Sequence, residues 1–231
     1  MSQALRAARI ATDDPEIQRR ILDAVANGIP ESDISLSPAI VSLPAYEITN
    51  ELSRNPDPYR EIRREQNAMA LEYEPKLRKL VAEDPDPLKA ALHIAAAGNI
   101  IDLGTMQAQH IDVEAAVEQV LRESFAVEHL KEFRASLAGC NDLLFLLDNA
   151  GEIVFDKILI EELLKHTAVT AVVKAGPIIN DVVMEDAEQV GLTDMCEVID
   201  NGGAFVGSPL DLIPDRFRER MDQADLILGK G

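Results

Sequence analysis

Cysteine is scarce in this chain. Cys140 and Cys196 are the only two in 231 residues, and they stand far apart in no metal-ligand spacing. With no His–Cys cluster a zinc site is disfavoured, and two thiols at the borders of strand-like apolar runs read as free and buried. Basic residues are also few: 22 Lys and Arg stand against 41 Asp and Glu, a net charge of −19. That excess repels phosphate backbones and argues against general nucleic-acid binding. Positive charge at a small-ligand site would have to come from individual lysines or arginines. No apolar run approaches membrane-spanning length, and Met1-Ser2-Gln3-Ala4-Leu5-Arg6 lacks signal-peptide architecture. A reducing cytoplasm, away from membranes, is the expected location. Internal repeats and low-complexity segments are absent, and the length suits one large domain or two small ones.

What the sequence does have is a change of period near Gly139. Before it the pattern is helical. Asp14-Pro15, Asp57-Pro58 and Asp86-Pro87 each read as an aspartate cap with proline in the first turn. Ile17, Ile21, Leu22 and Val25 recur at helical spacing, whereas residues 30–44, with Pro30, Pro38 and Pro44, read as an irregular connection. Tyr59, Ile62, Met69, Tyr73, Leu77 and Leu80 mark a long amphipathic helix with a possible bend at Pro75, its aromatic and methionine residues assigned to the core. Leu88 to Ile101 is apolar and small, suited to close approach by neighbours. It ends in Gly98-Asn99-Ile100-Ile101-Asp102, where Asn99 and Asp102 either cap a helix or face a site. His110 and Asp112 read as a solvated loop pair, and helices near 113–124 and 127–138 close this half.

After Gly139 strands and helices alternate. Leu143–Leu147, Val169–Lys174, Glu197–Asp200 and Leu226–Leu228 read as strands; 152–166, 182–191 and 214–223 read as helices. Alternation at this spacing predicts a parallel sheet with right-handed crossovers. The expected organisation is a helical part over residues 1–139 followed by an α/β part over 140–231. The five apolar residues Leu143-Leu144-Phe145-Leu146-Leu147 read as a strand buried on both faces. They run into Asp148-Asn149-Ala150-Gly151, where Asp148 either caps the next helix or belongs to a site at the strand's carboxyl end.

The other strands end in Lys174-Ala175-Gly176-Pro177 leading to Asn180-Asp181, in Asp200-Asn201-Gly202-Gly203, and in Gly229-Lys230-Gly231. In a parallel sheet all four ends lie along one edge. That edge would gather Asp148, Asn149 and Asp181, with Lys174, Asn180 and Lys230, among glycines that let a ligand approach. Carboxylate and amide oxygens favour a hard divalent cation such as Mg²⁺ or Mn²⁺, and a lysine beside it neutralises a transferring phosphoryl group. Metal-assisted hydrolysis of a phosphate ester fits this set, by a metal-activated water or by attack of an aspartate on phosphorus.

These motifs resemble a known family. Asp148-Asn149-Ala150-Gly151-Glu152-Ile153-Val154-Phe155-Asp156, Lys174 through Val182 and Gly229-Lys230-Gly231 are similar to the damage-control phosphatases, once called domain of unknown function 89. Gly98 to Asp102 and Gly207-Ser208-Pro209 match that family's motifs too, so the resemblance spans nearly the whole chain. It implies a helical part on an α/β/α sandwich and a divalent-metal-dependent phosphatase acting on small phosphorylated metabolites, with Mn, Mg, Co or Ni as the metal. It further implies metal ligation by Asp148, Asn149 and Asp181 and phosphate contact by Lys230. Asn99 and Asp102 would line the pocket, with Glu152, Asn180 and Lys174 as further substrate contacts. One branch of the family has been credited with carboxyl methyltransferase activity. Asp148-Asn149-Ala150-Gly151 is nevertheless a poor match to a glycine-rich S-adenosylmethionine loop. A non-catalytic metabolite- or metal-binding protein is the other alternative. Two departures stand out: the Cys-x-x-Cys pair usual near the N-terminus of prokaryotic members is missing, and the chain stops at Gly231 where members continue. A shortened chain, with an open strand edge, is therefore the expectation.

Overall fold

A computed structural model of the chain describes residues 1–33, 35–100 and 125–230, with the backbone alone at 99 and 100. Among these residues the helical half comprises α1 (Ser2–Ala11), α2 (Pro15–Gly28), α3 (Pro38–Ser53), α4 (Arg60–Glu83), α5 (Pro87–Ile100) and α6 (Leu130–Ala138). The second half alternates β1 (Asp142–Leu146), α7 (Glu152–Leu163), β2 (Ala168–Val173), α8 (Met184–Gln189), β3 (Glu197–Asp200), α9 (Asp215–Gln223) and β4 (Leu226–Gly229). The four strands form one all-parallel sheet in the order β3-β2-β1-β4. The expected α/β architecture with a parallel sheet is what the chain adopts.

Alternation along β1 separates two packing layers. Leu143 and Phe145 join the larger core, built with α4, α5 and α7, while Leu144 packs with Val172, Phe205, Ile213 and Phe217 on the opposite face. Burying each such side chain contributes roughly 1.5–3 kcal/mol. Helix α7 lies between the sheet and the helical half, so nearly every one of its residues is buried, including Glu152, Asp156, Lys157 and Glu162. Its tight fit against α5 depends on Gly98, where a Cβ would come within 3.0 Å of the Phe155 Cβ.

Several local expectations are corrected. Asp14 does cap α2, accepting from the Glu16 and Ile17 amides, and Asp86 accepts from the Lys89 amide at the start of α5. Asp57 does not cap: α4 begins at Arg60 behind Tyr59, and the Asp57 carboxylate instead chelates Arg63. Residues 30–44 are not wholly irregular. Ser37 caps α3 at Pro38, a favourable first-turn position, and Pro44 is carried inside the helix. Pro75 likewise lies within α4. On α4, Met69 is exposed, and the buried stripe includes Arg63, Gln66 and Asn67 beside Ala70, Leu77 and Val81. Helix α7 ends three residues earlier than the apolar pattern suggested. Both cysteines are free, Cys140 buried and Cys196 partly so. His110, Asp112 and the helix expected near 113–124 lie outside the described residues.

Candidate active site

The sheet's order reverses beside β1: the chain moves from β1 to β2 and β3, then returns to place β4 on β1's other side. The carboxyl ends of β1 and β4 therefore flank a topological switch point, where open α/β sheets bind ligands. The loop after β1 carries Asp148 and Asn149, and the residue after β4 is Lys230.

Two backbone hydrogen bonds join the β1 loop to the loop after β2. The Val182 amide donates to the Asp148 carbonyl at 2.8 Å, and the Ala150 amide donates to the Asn180 carbonyl at 2.8 Å. The resulting antiparallel bridge pairs Asn149 with Asp181. Sequence-distant Asp148, Asn149 and Asp181 are thereby brought together. Gly151, with φ of 77°, turns the chain into α7 in a conformation that strains residues bearing a side chain. The first turn of α7 has no side-chain cap, so Asp148 is not its cap; its Oδ2 accepts from the Asn149 amide nitrogen at 2.8 Å.

Charge is concentrated here and poorly compensated. Burial, then repulsion from Glu152, holds the Asp148 carboxyl above its ordinary range, against the pull of Lys174 and Lys230. Burial pushes Asp181 up to about 7, opposed by Lys174, whose Nζ lies 3.4 Å from Oδ2. That Oδ2 receives no hydrogen bond. Lys174 donates to the Gly207 carbonyl at 2.6 Å, tying the Gly207-Ser208-Pro209 loop to the edge.

Lys230 points inward. Its Nζ donates to the Ala95 carbonyl at 2.7 Å and to Asp156 Oδ1 at 2.9 Å, and pairs with the Glu152 carboxylate. Neither Glu152 oxygen has a hydrogen bond of ordinary geometry, and Asp156 Oδ2 also lacks a partner. Burial works against the Lys230 charge, but Asp156 and Glu152 outweigh it and raise its pKa. Asp156, entirely enclosed, is pushed by that burial up to about 7. Four carboxylates, Asp148, Glu152, Asp156 and Asp181, thus face two ammonium groups, Lys174 and Lys230. The acids exceed the ammonium groups by two, and near neutral pH protons bound to Asp156 and Asp181 offset part of that excess.

Asn180 belongs to the bridging loop, contributing its carbonyl to the Ala150 amide. Asn99 lies at the C-terminal end of α5 with its side chain outside the description, and Asp102 is outside the described residues. Four residues carry weight that the sequence reading missed: Asp156, Arg63, Asn67 and Asp186. Asp156 had a visible sign, being a charge four residues after Glu152 on an apolar helix face. Arg63 and Asn67 had none, since polar residues on an amphipathic helix look solvated.

The donor set suits a hard divalent cation: carboxylate and amide oxygens, an Asp181 oxygen without a hydrogen bond and more acidic than ammonium groups. Among the described residues no group of three or more His, Cys, Asp or Glu side chains could hold a metal. The trio expected here is two carboxylates and the Asn149 amide.

Fold and site together define a doubly wound α/β protein with a cluster of acidic side chains and two lysines at its switch point. The damage-control phosphatase ARMT1-like domain model matches residues 1–231, and the chain belongs to that family. A damage-control phosphatase of Pyrococcus horikoshii is 30% identical over 233 residues, covering 100% of this chain and 80% of its own length. A damage-control phosphatase of Archaeoglobus fulgidus is 28% identical, covering 97% and 79%. An uncharacterised protein of Methanocaldococcus jannaschii is 31% identical, covering 99% and 77%. The crystal structure of a domain-of-unknown-function-89 protein from Pyrococcus horikoshii superposes with a TM-score of 0.86 at 29% identity, covering 100% of this chain and 80% of that one. These relatives support phosphatase function. No helix among the described residues is long and apolar enough to cross a membrane.

Proposed function

We propose that this protein is a divalent-metal-dependent phosphatase that hydrolyses phosphate esters of small metabolites in the cytoplasm, with metal-activated water as the nucleophile. The observation that carries this reading is the gathering of four acidic groups against two ammonium groups at the switch point, beside an Asp181 oxygen without a hydrogen bond. A cation held by Asp148, Asn149 and Asp181 would supply an acidified water and neutralise charge on the transferring phosphoryl group. Lys174, beside Asp181, adds fixed positive charge along the same edge. Lys230, held charged by Glu152 and Asp156, is the second such group and the candidate phosphate contact. The acidic balance of −19 leaves these lysines as local positive features for a small anionic substrate, not for a polymer backbone.

The test is hydrolysis of para-nitrophenyl phosphate by metal-stripped protein, with Mg²⁺, Mn²⁺, Co²⁺ or Ni²⁺ restored separately. Activity that returns with a cation and vanishes in Asp148→Ala supports the proposal. Silence with every cation, from folded protein, overturns it in favour of a binding protein.

A further inference from the structure

Behind the strand edge, one helix of the N-terminal half grips both loops that carry the expected ligands. Asn67 on α4 is fully buried, and its Oδ1 accepts the Gly151 amide at 2.8 Å. Its Nδ2 donates to Asp186 Oδ1 at 3.0 Å and to Gln189 Oε1 at 3.0 Å. Asp186 Oδ2 in turn accepts the Val183 amide at 2.9 Å and Arg63 Nε at 2.9 Å. Arg63's remaining two nitrogens each lie 2.8 Å from an Asp57 oxygen. A buried path thus runs from Gly151 through Asn67 and Asp186 to Val183. It starts two residues after Asn149 and ends two residues after Asp181.

We propose that Asn67 and Asp186 are positioning residues that set the separation of Asp148–Asn149 from Asp181, and so the affinity of the site for its cation. The inference rests on the reading of those three residues as the metal ligands. Two features distinguish it from mere docking of a helix on a sheet. The ends of the path are backbone amides of the two ligand loops, so a shift of either loop must break a buried hydrogen bond. A buried ionic network is also no better for stability than packed apolar side chains, so its geometry is what an apolar replacement would lose. Outer partners of this kind govern metal affinity by about 10–100-fold.

The experiment uses the full chain as wild type, Asn67→Ala and Leu77→Ala, the last a cavity variant at a buried apolar position ten residues further along the same helix. Two quantities are read: Mn²⁺ affinity by calorimetry, and amide exchange of peptides spanning 148–153 and 181–185. Folded Asn67→Ala should bind Mn²⁺ about 10–100-fold more weakly and exchange the Gly151 amide faster. Leu77→Ala should do neither. Asp186→Asn, nearly isosteric, is expected to change both quantities in the same direction and is read in its place if Asn67→Ala does not fold. Wild-type affinity with faster exchange overturns the positioning role, as does weaker binding with unchanged protection. A wild-type chain that binds no Mn²⁺ overturns the metal reading, and this assignment with it. That failure is told apart because it shows before any substitution is made.

Discussion

Two charge networks meet the β1 loop and the helix that follows it, and they are built to different standards. Around Arg63 the partners are matched: the guanidinium meets Asp57 and Asp186, and Asp186 also receives the Val183 amide and Asn67. At the strand edge oxygens of Glu152, Asp156 and Asp181 remain without hydrogen bonds, although the ratio of carboxylates to cations is the same two to one. Buried polar groups in stable proteins are satisfied almost without exception. The first network therefore reads as a fixed support and the second as the place where a ligand would complete the bonding.

The largest expected effect follows from exploiting the unbalanced side. Asp181→Asn should lower cation-dependent phosphatase activity at least about 100-fold, beyond the range for outer partners, while making the metal-free protein more stable. Activity assays and urea unfolding of the same preparation check both halves. A variant that loses activity and stability together would erase the distinction.

On the balanced side, Arg63→Met leaves Asp186 buried without its counter-charge and should cost about 3–5 kcal/mol, measured by urea unfolding. A neutral result would show that the two networks are alike.

The next effect is in pH. Burial raises both Asp156 and Asp181 to about 7 in the folded chain, from an ordinary 3.8. A carboxyl raised on folding binds more protons folded than unfolded, so its stability contribution is complete below about 4 and is lost as pH rises through about 7. The metal-free protein should therefore weaken across that window. Asp156→Asn should remove up to about 1.4 kcal/mol per pH unit of that slope, seen as thermal melts that depend less on pH. Added Mn²⁺ should stabilise the protein more at the upper end, where the carboxylates are ionised.

Smallest of all is the effect of Arg60→Ala. Arg60 pairs with Glu185 at 2.8 Å on the exposed rim of the same helix interface. Exposed pairs contribute little, so stability and Mn²⁺ dependence should match wild type in melts and assays. A measurable loss of Mn²⁺ dependence would extend the positioning network to the surface.

Much of this was legible before any coordinates. The apolar run at Leu143–Leu147, the strand–helix alternation and the polar strand ends identified the parallel sheet and the edge where its polar strand ends meet, because an apolar run between turn residues suits a strand buried on both faces. Helix starts were legible where a cap uses its own backbone, as at Asp14 and Asp86. At Asp57 the local signal was the same, but a buried arginine six residues on claimed the carboxylate. The serine- and proline-rich stretch from residue 30 was read as irregular although Ser37-Pro38 is itself a cap and first-turn pair.

By itself, then, the sequence determined the fold class, the edge at which chemistry would gather and the residue types found there, since all three follow from local period and chain order. Tertiary structure decided which charges are compensated. Whether Lys230 meets solvent or Asp156, and whether Asn67 faces water or the Gly151 amide, depends on packing between residues that are far apart in the chain. Burial converts those same charged and amide groups from solvated surface into a site and its support, and burial is a property of neighbours, not of spacing.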